Sequence, residues 1–362
     1  MPRGRGRAVA RRRRHHGGLH RVRSVREGLP DRGVDLTDVA AHRGRGLTVP
    51  EDAERTLINQ LTAGLRSQRN ETGFVSDCAV VPFGAEDLIA TVDGFAQATH
   101  FPEGVGAEGA GRLAAGAALA DLASAGADLV GVLAAYGIPT DLDRATVVAL
   151  GEAIATRVET AGGEVLGGDT KPREELTVTV TALGTCPSGE AMIRTEARPG
   201  DAVIVTGPLG GAGAALDRIR EGGDADEADP LVPELRLEAG QVLREAGARC
   251  AMDLSDGLAD AATAIADASD VSVQLEADQV PLHAWASGIE SGLAHALSTG
   301  GDYELAATVA ASETEGLLSA LAERGLEAAV VGRVQEGAGA DLVREDETIE
   351  LGRGFEHRFA TE

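Results

Sequence analysis

The sequence predicts an α/β (α+β) protein of two domains similar in size and in element order. Three observations carry this. Apolar residues recur at helical spacing in some segments and at strand spacing in others, and the two kinds alternate along the chain. The 362 residues, 43% of them apolar, suffice for two separate cores. Aromatics make up only 2%, so those cores are filled by closely packed Ala, Val, Leu and Ile.

The first 47 residues contain "MPRGRGRAVARRRRHHGGLHRVR", which has neither periodicity nor an apolar h-region. They read as a disordered leader or an over-called gene start, with the globular protein beginning near Thr48. "TVPEDAERTLINQLTAGL" has amphipathic helical spacing, and "DLIATVDG" reads as a strand ending at Asp93. Residues 108–126 are Ala- and Gly-rich and predict a helix able to approach a sheet closely. A strand at 128–135, a helix at 141–161, a short strand ending in "LGGDT" and the alternating "ELTVTVTALG" complete a first domain, 48–190. The Pro and Gly of "RPGD" mark the turn into the second domain, 191–362. Its elements are the strand of "AVIVTGPLGG" with a helix after it, a helix at 232–247, a strand into Asp253 and a helix from Gly257. A strand at 271–276, "DYELAATV", a helix at 312–325 and "AAVVGRV" follow.

Charge narrows the partners. Residues 1–46 hold thirteen Arg and four acids, whereas the rest holds 20 basic and 54 acidic residues. So acidic a body disfavours nucleic acid and anionic membranes as partners, and its single lysine, Lys171, resembles the surface chemistry of high-salt cytoplasm. Cys78, Cys186 and Cys250 lack disulfide or metal spacing, which fits a reducing, cytoplasmic setting. Asp121 and Asp128 interrupt the longest apolar stretch, so no membrane-spanning helix is expected.

Acids recur where strands end or helices face inward: Asp77, Asp93, Asp121, Asp169, Asp253 and Asp256. Each alone has an ordinary reading as a turn, cap or solvated residue. Asp121 fits that reading least, because its helix is otherwise small and apolar and a buried carboxylate needs a cation or partners. Converging, these acids would be hard oxygen ligands for several Mg2+ ions, with a nucleoside triphosphate as the natural cargo. The chain has no phosphate-binding G-x-x-x-x-G-K-[ST] motif. "GPLGGAG" misses dinucleotide spacing and reads better as a glycine-rich turn. Phosphates would then be held by metal, by backbone N–H groups and by an arginine, for which Arg194 beside the inter-domain turn is the candidate. His100 would donate to a phosphate or cap a local network.

Taken in order, "SDCAVV", "ATVDGFAQATHF", "ALADLASAGADL", "LGGDTK", "RTEARPGDAVIVTGPLG", "AMDLSDGLAD" and "ALSTGGDYEL" resemble thiamine-monophosphate kinase. This family belongs to the ATP-binding superfamily that includes aminoimidazole ribonucleotide synthetase and selenophosphate synthetase. The resemblance implies a homodimer of two-domain subunits with mixed sheets, binding ATP, thiamine monophosphate and several Mg2+ ions. It places Asp77, Thr91, Asp93, Asp121, Asp169, Asp253 and Asp256 at metal positions. Gly168, Asp169, Arg194 and Ser255 fall at nucleotide contacts, and His100 and Phe355 at substrate contacts. No general base is implied, because the acceptor phosphate is already an anionic nucleophile; positioning and charge neutralisation carry the in-line transfer. Gly301 stands where the family carries a substrate-contacting glutamate, so two alternatives accompany the kinase reading. One is a related synthetase or kinase with another acceptor, and the other is a nucleotide-binding regulator without turnover.

Overall fold

The computed structural model describes residues 57–58, 61–62, 76–102, 104–223, 231–345 and 347–352. The expected first helix lies largely outside this set, and its described residues are helical.

Two mixed sheets organise the chain. The first contains β1 (Ala79–Phe83), β2 (Glu86–Ala96), β3 (Asp128–Ile138), β4 (Val165–Pro172) and β5 (Thr177–Pro187), in the order β1-β2-β5-β3-β4. Only β3 and β4 run parallel in it. The second contains β6 (Asp201–Thr206), β7 (Cys250–Asp253), β8 (Ser272–Glu276), β9 (Leu305–Ala310), β10 (Ala328–Gln335), β11 (Gly339–Arg344) and β12 (Glu347–Glu350). Its order is β12-β11-β8-β10-β6-β9-β7, with β8 and β11 parallel.

The helices are α1 (Gln97–His100), α2 (Ala107–Ser124), α3 (Arg144–Thr160), α4 (Gly211–Arg220), α5 (Leu237–Glu245), α6 (Leu258–Ser269), α7 (Gly292–Ser298) and α8 (Thr314–Glu323). Helix α3 begins at residue 144 rather than 141 because the Asp143 carboxylate caps it, accepting from the amides of Ala145 and Thr146. Helix α5 starts at Leu237, past Pro233, which has no amide hydrogen to contribute to a helical ladder. The β11–β12 hairpin and the short helices α1 and α7 were not anticipated.

Helix α2 is central. Thirteen of its 18 residues are buried, most of them alanine, and it packs on β2 and β5 as well as on α5, β7 and β9. Its small side chains bring backbones close on both sides, so one apolar cluster runs from Ile89 and Val180 through Leu119 to Leu243 and Leu305. A second cluster, with Val203, Leu258, Ile265 and Leu275, fills the space between α6 and the second sheet.

A buried ion pair ties α5 to β9. The Arg236 guanidinium meets the Glu304 carboxylate along two edges, with Nη2 to Oε1 at 2.5 Å, and the Thr206 hydroxyl donates to Oε2 at 2.7 Å. The Glu304 side chain is 5% exposed. Removing one partner of such a pair strands the other charge. Arg236→Ala should therefore cost about 3–5 kcal/mol in urea unfolding, and a loss under about 1 kcal/mol would contradict the pairing.

Candidate active site

Four separate segments build one acidic cleft. Asp77 lies in the bend before β1, Thr91 and Asp93 project from β2, Asp121 occupies the last turn of α2, and Asp253 ends β7. Strand alternation selects the β2 residues: Thr91 is buried against α2, whereas Val92 between it and Asp93 faces outward and is 62% exposed. Helical spacing does the same on α2, where Asp121 and Ser124 share a face. The Ser124 hydroxyl donates to Asp77 Oδ2 at 3.0 Å, and the Thr91 hydroxyl donates to Asp121 Oδ2 at 2.5 Å.

Carboxylate oxygens of Asp77, Asp121 and Asp253 lie within 4.8 Å of one another. Burial, and then the neighbouring carboxylates, push the Asp121 and Asp253 carboxyls well above the usual range. Burial followed by the charge of Asp77 pushes Asp93 up to about 6. Arg194 offsets part of this as the ion partner of Asp77, while its backbone amide donates to Ser76 Oγ at 3.2 Å. Desolvation opposes the charged form of Arg194, but the carboxylates around it win and its guanidinium is held above its usual value. Two buried polar atoms of this cluster have no hydrogen-bond partner among the described residues, Asp253 Oδ2 and Arg194 Nε. Clustered carboxylates, a threonine hydroxyl and an orphaned carboxylate oxygen form a hard oxygen donor set that fits Mg2+.

The loop after β7 adds Ser255, whose hydroxyl donates to Asp253 Oδ1 at 3.3 Å, and Asp256, whose charge contributes to raising Asp253. Other residues singled out from the sequence lie elsewhere. Asp93, Val180, Ala134 and Gly168 stand in register across β2, β5, β3 and β4, so Gly168 occupies the face that bears Asp93. Its lack of a side chain is required there, since a Cβ would fall 1.8 Å from the Ala134 carbonyl oxygen. Asp169, one residue on, points to the opposite face and does not join the cluster. Strand β4 is an exposed edge, and Asp169 pairs there with Lys171 at 2.7 Å. The expectation that Asp169 converges with the other acids therefore fails within a single chain.

His100 ends α1, where its Nδ1 lies 2.6 Å from Thr99 Oγ1 and 3.2 Å from the Ala96 amide, with its ring edge-on to Phe95. Those contacts are local and include none of the clustered acids. Phe355 lies outside the described residues.

The glycine-rich "GPLGGAG" segment is a turn. The amides of Gly210 and Ala212 at the start of α4 donate to the Asp302 carboxylate at 2.6 and 3.1 Å. The chain thus supplies its own anion at this helix N-terminus. Burial lifts Asp302 to about 6 despite those amides. The sequence reading missed the roles of Asp302 and of the Arg236–Glu304 pair. The signal for Asp302 and Glu304 is the pair of acids in "GGDYEL".

Among the described residues no helix is long and apolar enough to cross a membrane. Family models for the AIR synthase related protein match residues 75–186 (N-terminal domain) and 198–345 (C-terminal domain). The thiamine-monophosphate kinase of Halobacterium salinarum is 36% identical over 308 residues, covering 84% of this chain and 99% of that protein. The Escherichia coli enzyme of the same description is 31% identical over 324 residues, with 85% and 98% covered. A crystal structure of thiamine-monophosphate kinase from Stenotrophomonas maltophilia superimposes with a TM-score of 0.68 at 29% identity, over 79% of this chain and 95% of that one. The structure of AaThiL complexed with AMPPCP and TMP gives a TM-score of 0.72 at 24% identity, over 82% and 96%. The acidic cleft thus lies in a chain that belongs to the thiamine-monophosphate kinase family, whose reaction is the ATP-dependent phosphorylation of thiamine monophosphate to thiamine diphosphate.

Proposed function

We propose that this kinase carries out its phosphoryl transfer in the cleft of Asp77, Asp93, Asp121 and Asp253, and that these carboxylates with Asp256 and Thr91 hold Mg2+. The observation that carries the reading is the meeting of Asp77, Asp121 and Asp253 from distant parts of the chain, with an Asp253 oxygen left unbonded. Bound Mg2+ would neutralise the phosphate charges of donor and acceptor and align them for in-line attack.

The residues of the chain perform the positioning. Thr91 and Ser124 fix the rotamers of Asp121 and Asp77 by donating to them. Arg194, anchored on Asp77, has its Nε free for a phosphate oxygen. We assign Ser255, on the loop that carries Asp256, to a nucleotide contact on the motif resemblance. We assign Gly168 and Asp169 to the nucleotide as well, and His100 and Phe355 to thiamine monophosphate, on the motif resemblance. The acceptor phosphate is already anionic, so the cleft needs no general base.

The oligomer we infer is a homodimer. Val92 and Leu133 stand in register on the outer face of the first sheet and are 62% and 40% exposed, on the face that also presents Asp169 and Lys171. A second copy covering this face would bury that apolar surface and bring Asp169 into a shared environment. We further propose a high-salt cytoplasmic setting, from the net charge of −25 with one lysine.

Three outcomes follow. Asp93→Asn and Asp121→Asn should each lower turnover of ATP with thiamine monophosphate at least about 100-fold while far-UV circular dichroism stays unchanged; near-normal turnover would remove that residue from the site. The second concerns stability without divalent ions. A carboxyl whose folded pKa is raised costs nothing below its unfolded value of about 3.9. Its penalty grows as pH rises and is complete above the folded value, which is about 6 for Asp93; the Asp121 and Asp253 carboxyls are likewise raised by burial and by their neighbours' charge. At pH 7 without metal, Asp121→Asn should therefore melt above the wild type, and Mg2+ should raise the melting point of the wild type far more than that of the variant. Equal Mg2+ responses would contradict the assignment. Third, activity and melting point should rise from low to molar KCl, and a steady fall would refute the high-salt reading.

A further inference from the structure

Next to the cleft the backbone takes an unusual course. Gly300, Gly301 and Tyr303 all have positive φ, at 74°, 87° and 51°. Tyrosine is a bulky residue for the left-handed region, and such strain persists only where surrounding contacts over-determine it. Those contacts are visible. The Leu254 amide donates to the Glu304 carbonyl at 2.7 Å, the Tyr303 amide to the Leu254 carbonyl at 3.2 Å, and the Gly301 amide to the Ser255 carbonyl at 2.8 Å. The fit leaves no room at Gly300, where a Cβ would lie 2.2 Å from the Ser255 carbonyl oxygen. Three backbone hydrogen bonds thus staple the strained turn to the loop that carries Asp253, Ser255 and Asp256.

The Tyr303 side chain starts from this stapled turn, beside the same loop. Its ring packs on the central apolar cluster, and Asp93, Asp253, Asp256 and Asp121 are the carboxylates whose charge reaches its hydroxyl. Burial and those carboxylates hold it well above its usual value, so it stays a neutral O–H donor. A donor kept protonated, within electrostatic reach of clustered acids, on a strained turn stapled to their loop, matches a group that binds an anionic oxygen brought in from outside.

We propose that Tyr303 is a further residue of this active site, donating its hydroxyl to a phosphoryl oxygen of the group in transfer, with the strained Gly300–Tyr303 turn as the device that aims it. The inference rests on the reading of the cleft as the phosphoryl-transfer site. Asp302 and Glu304, on either side, are engaged by their own partners at the starts of α4 and α5.

Tyr303→Phe tests this, since it removes one oxygen and keeps the ring. With saturating Mg2+, kcat should fall about 10- to 100-fold, with KM for ATP and thiamine monophosphate within about threefold and the melting point unchanged. A second readout does not depend on turnover. The chain has two tyrosines, Tyr136 and Tyr303. Binding of a non-hydrolysable ATP analogue with thiamine monophosphate and Mg2+ should produce a tyrosine ultraviolet difference spectrum in the wild type, absent from Tyr303→Phe. Normal kcat in Tyr303→Phe, or an undiminished difference spectrum, overturns the proposal. Asp121→Asn, assayed in parallel, separates the two levels. If it loses turnover while Tyr303→Phe does not, only the tyrosine inference fails. Should both retain turnover, the cleft itself has been misread.

Discussion

Electrostatic repulsion among buried carboxylates is the constraint on which this structure turns. Asp77, Asp121 and Asp253 are held within contact range of one another, with Asp93 beside them, in a space where Arg194 is their buried ion partner. One arginine does not balance that many acids, and the raised Asp121 and Asp253 carboxyls express the shortfall. A fold relieves such repulsion by letting the acids drift into solvent or by protonating them. This one prevents the drift with hydroxyl groups from Thr91, Ser124 and Ser255 that lock the carboxylates inward. The acids are therefore held together in advance, the electrostatic preorganisation that the proposed binding of a cation and a polyphosphate requires.

Delivering acids from distant segments to one point demands close packing, and the composition supplies it. Helix α2 carries Asp121 and Ser124, and its alanine-rich surface lets β2 approach on one side and β7 on the other. A leucine-rich helix would hold those strands further apart and separate Asp121 from Thr91 and Asp253. Strand alternation on β2 then assigns one face to the site and the other to solvent or a partner chain, with Val92 on that outer face between Thr91 and Asp93. The paucity of aromatics and the geometry of the site are thus linked.

Most of this was legible in the sequence, for local reasons. Strand and helix periods located the elements, and Asp121 was marked as unusual because an acid in an alanine helix has no cheap structural explanation. The ordered motifs resolved the rest into a family. That Asp169 stands apart from the cluster within one chain is not legible, because a sequence shows that an acid follows two glycines but not which face of an edge strand it takes; one residue of register separates it from Gly168 on the inner face. The roles of Asp302 and Glu304 are not legible in the sequence, because their partners, Gly210 and Arg236, come from segments far away in the chain. The glycine-rich turn before α4 was separable from a phosphate loop by spacing, and the carboxylate that occupies its amides became visible only in three dimensions.

The central claim is that the converged acids bind divalent cations with the nucleotide, and direct metal binding tests it best. Mn2+ can stand in for Mg2+, and its bound fraction can be read by electron paramagnetic resonance in the presence of a non-hydrolysable ATP analogue. The wild type should bind Mn2+ saturably, and Asp253→Asn should lose at least about tenfold in affinity. Identical binding isotherms for the two proteins would contradict it.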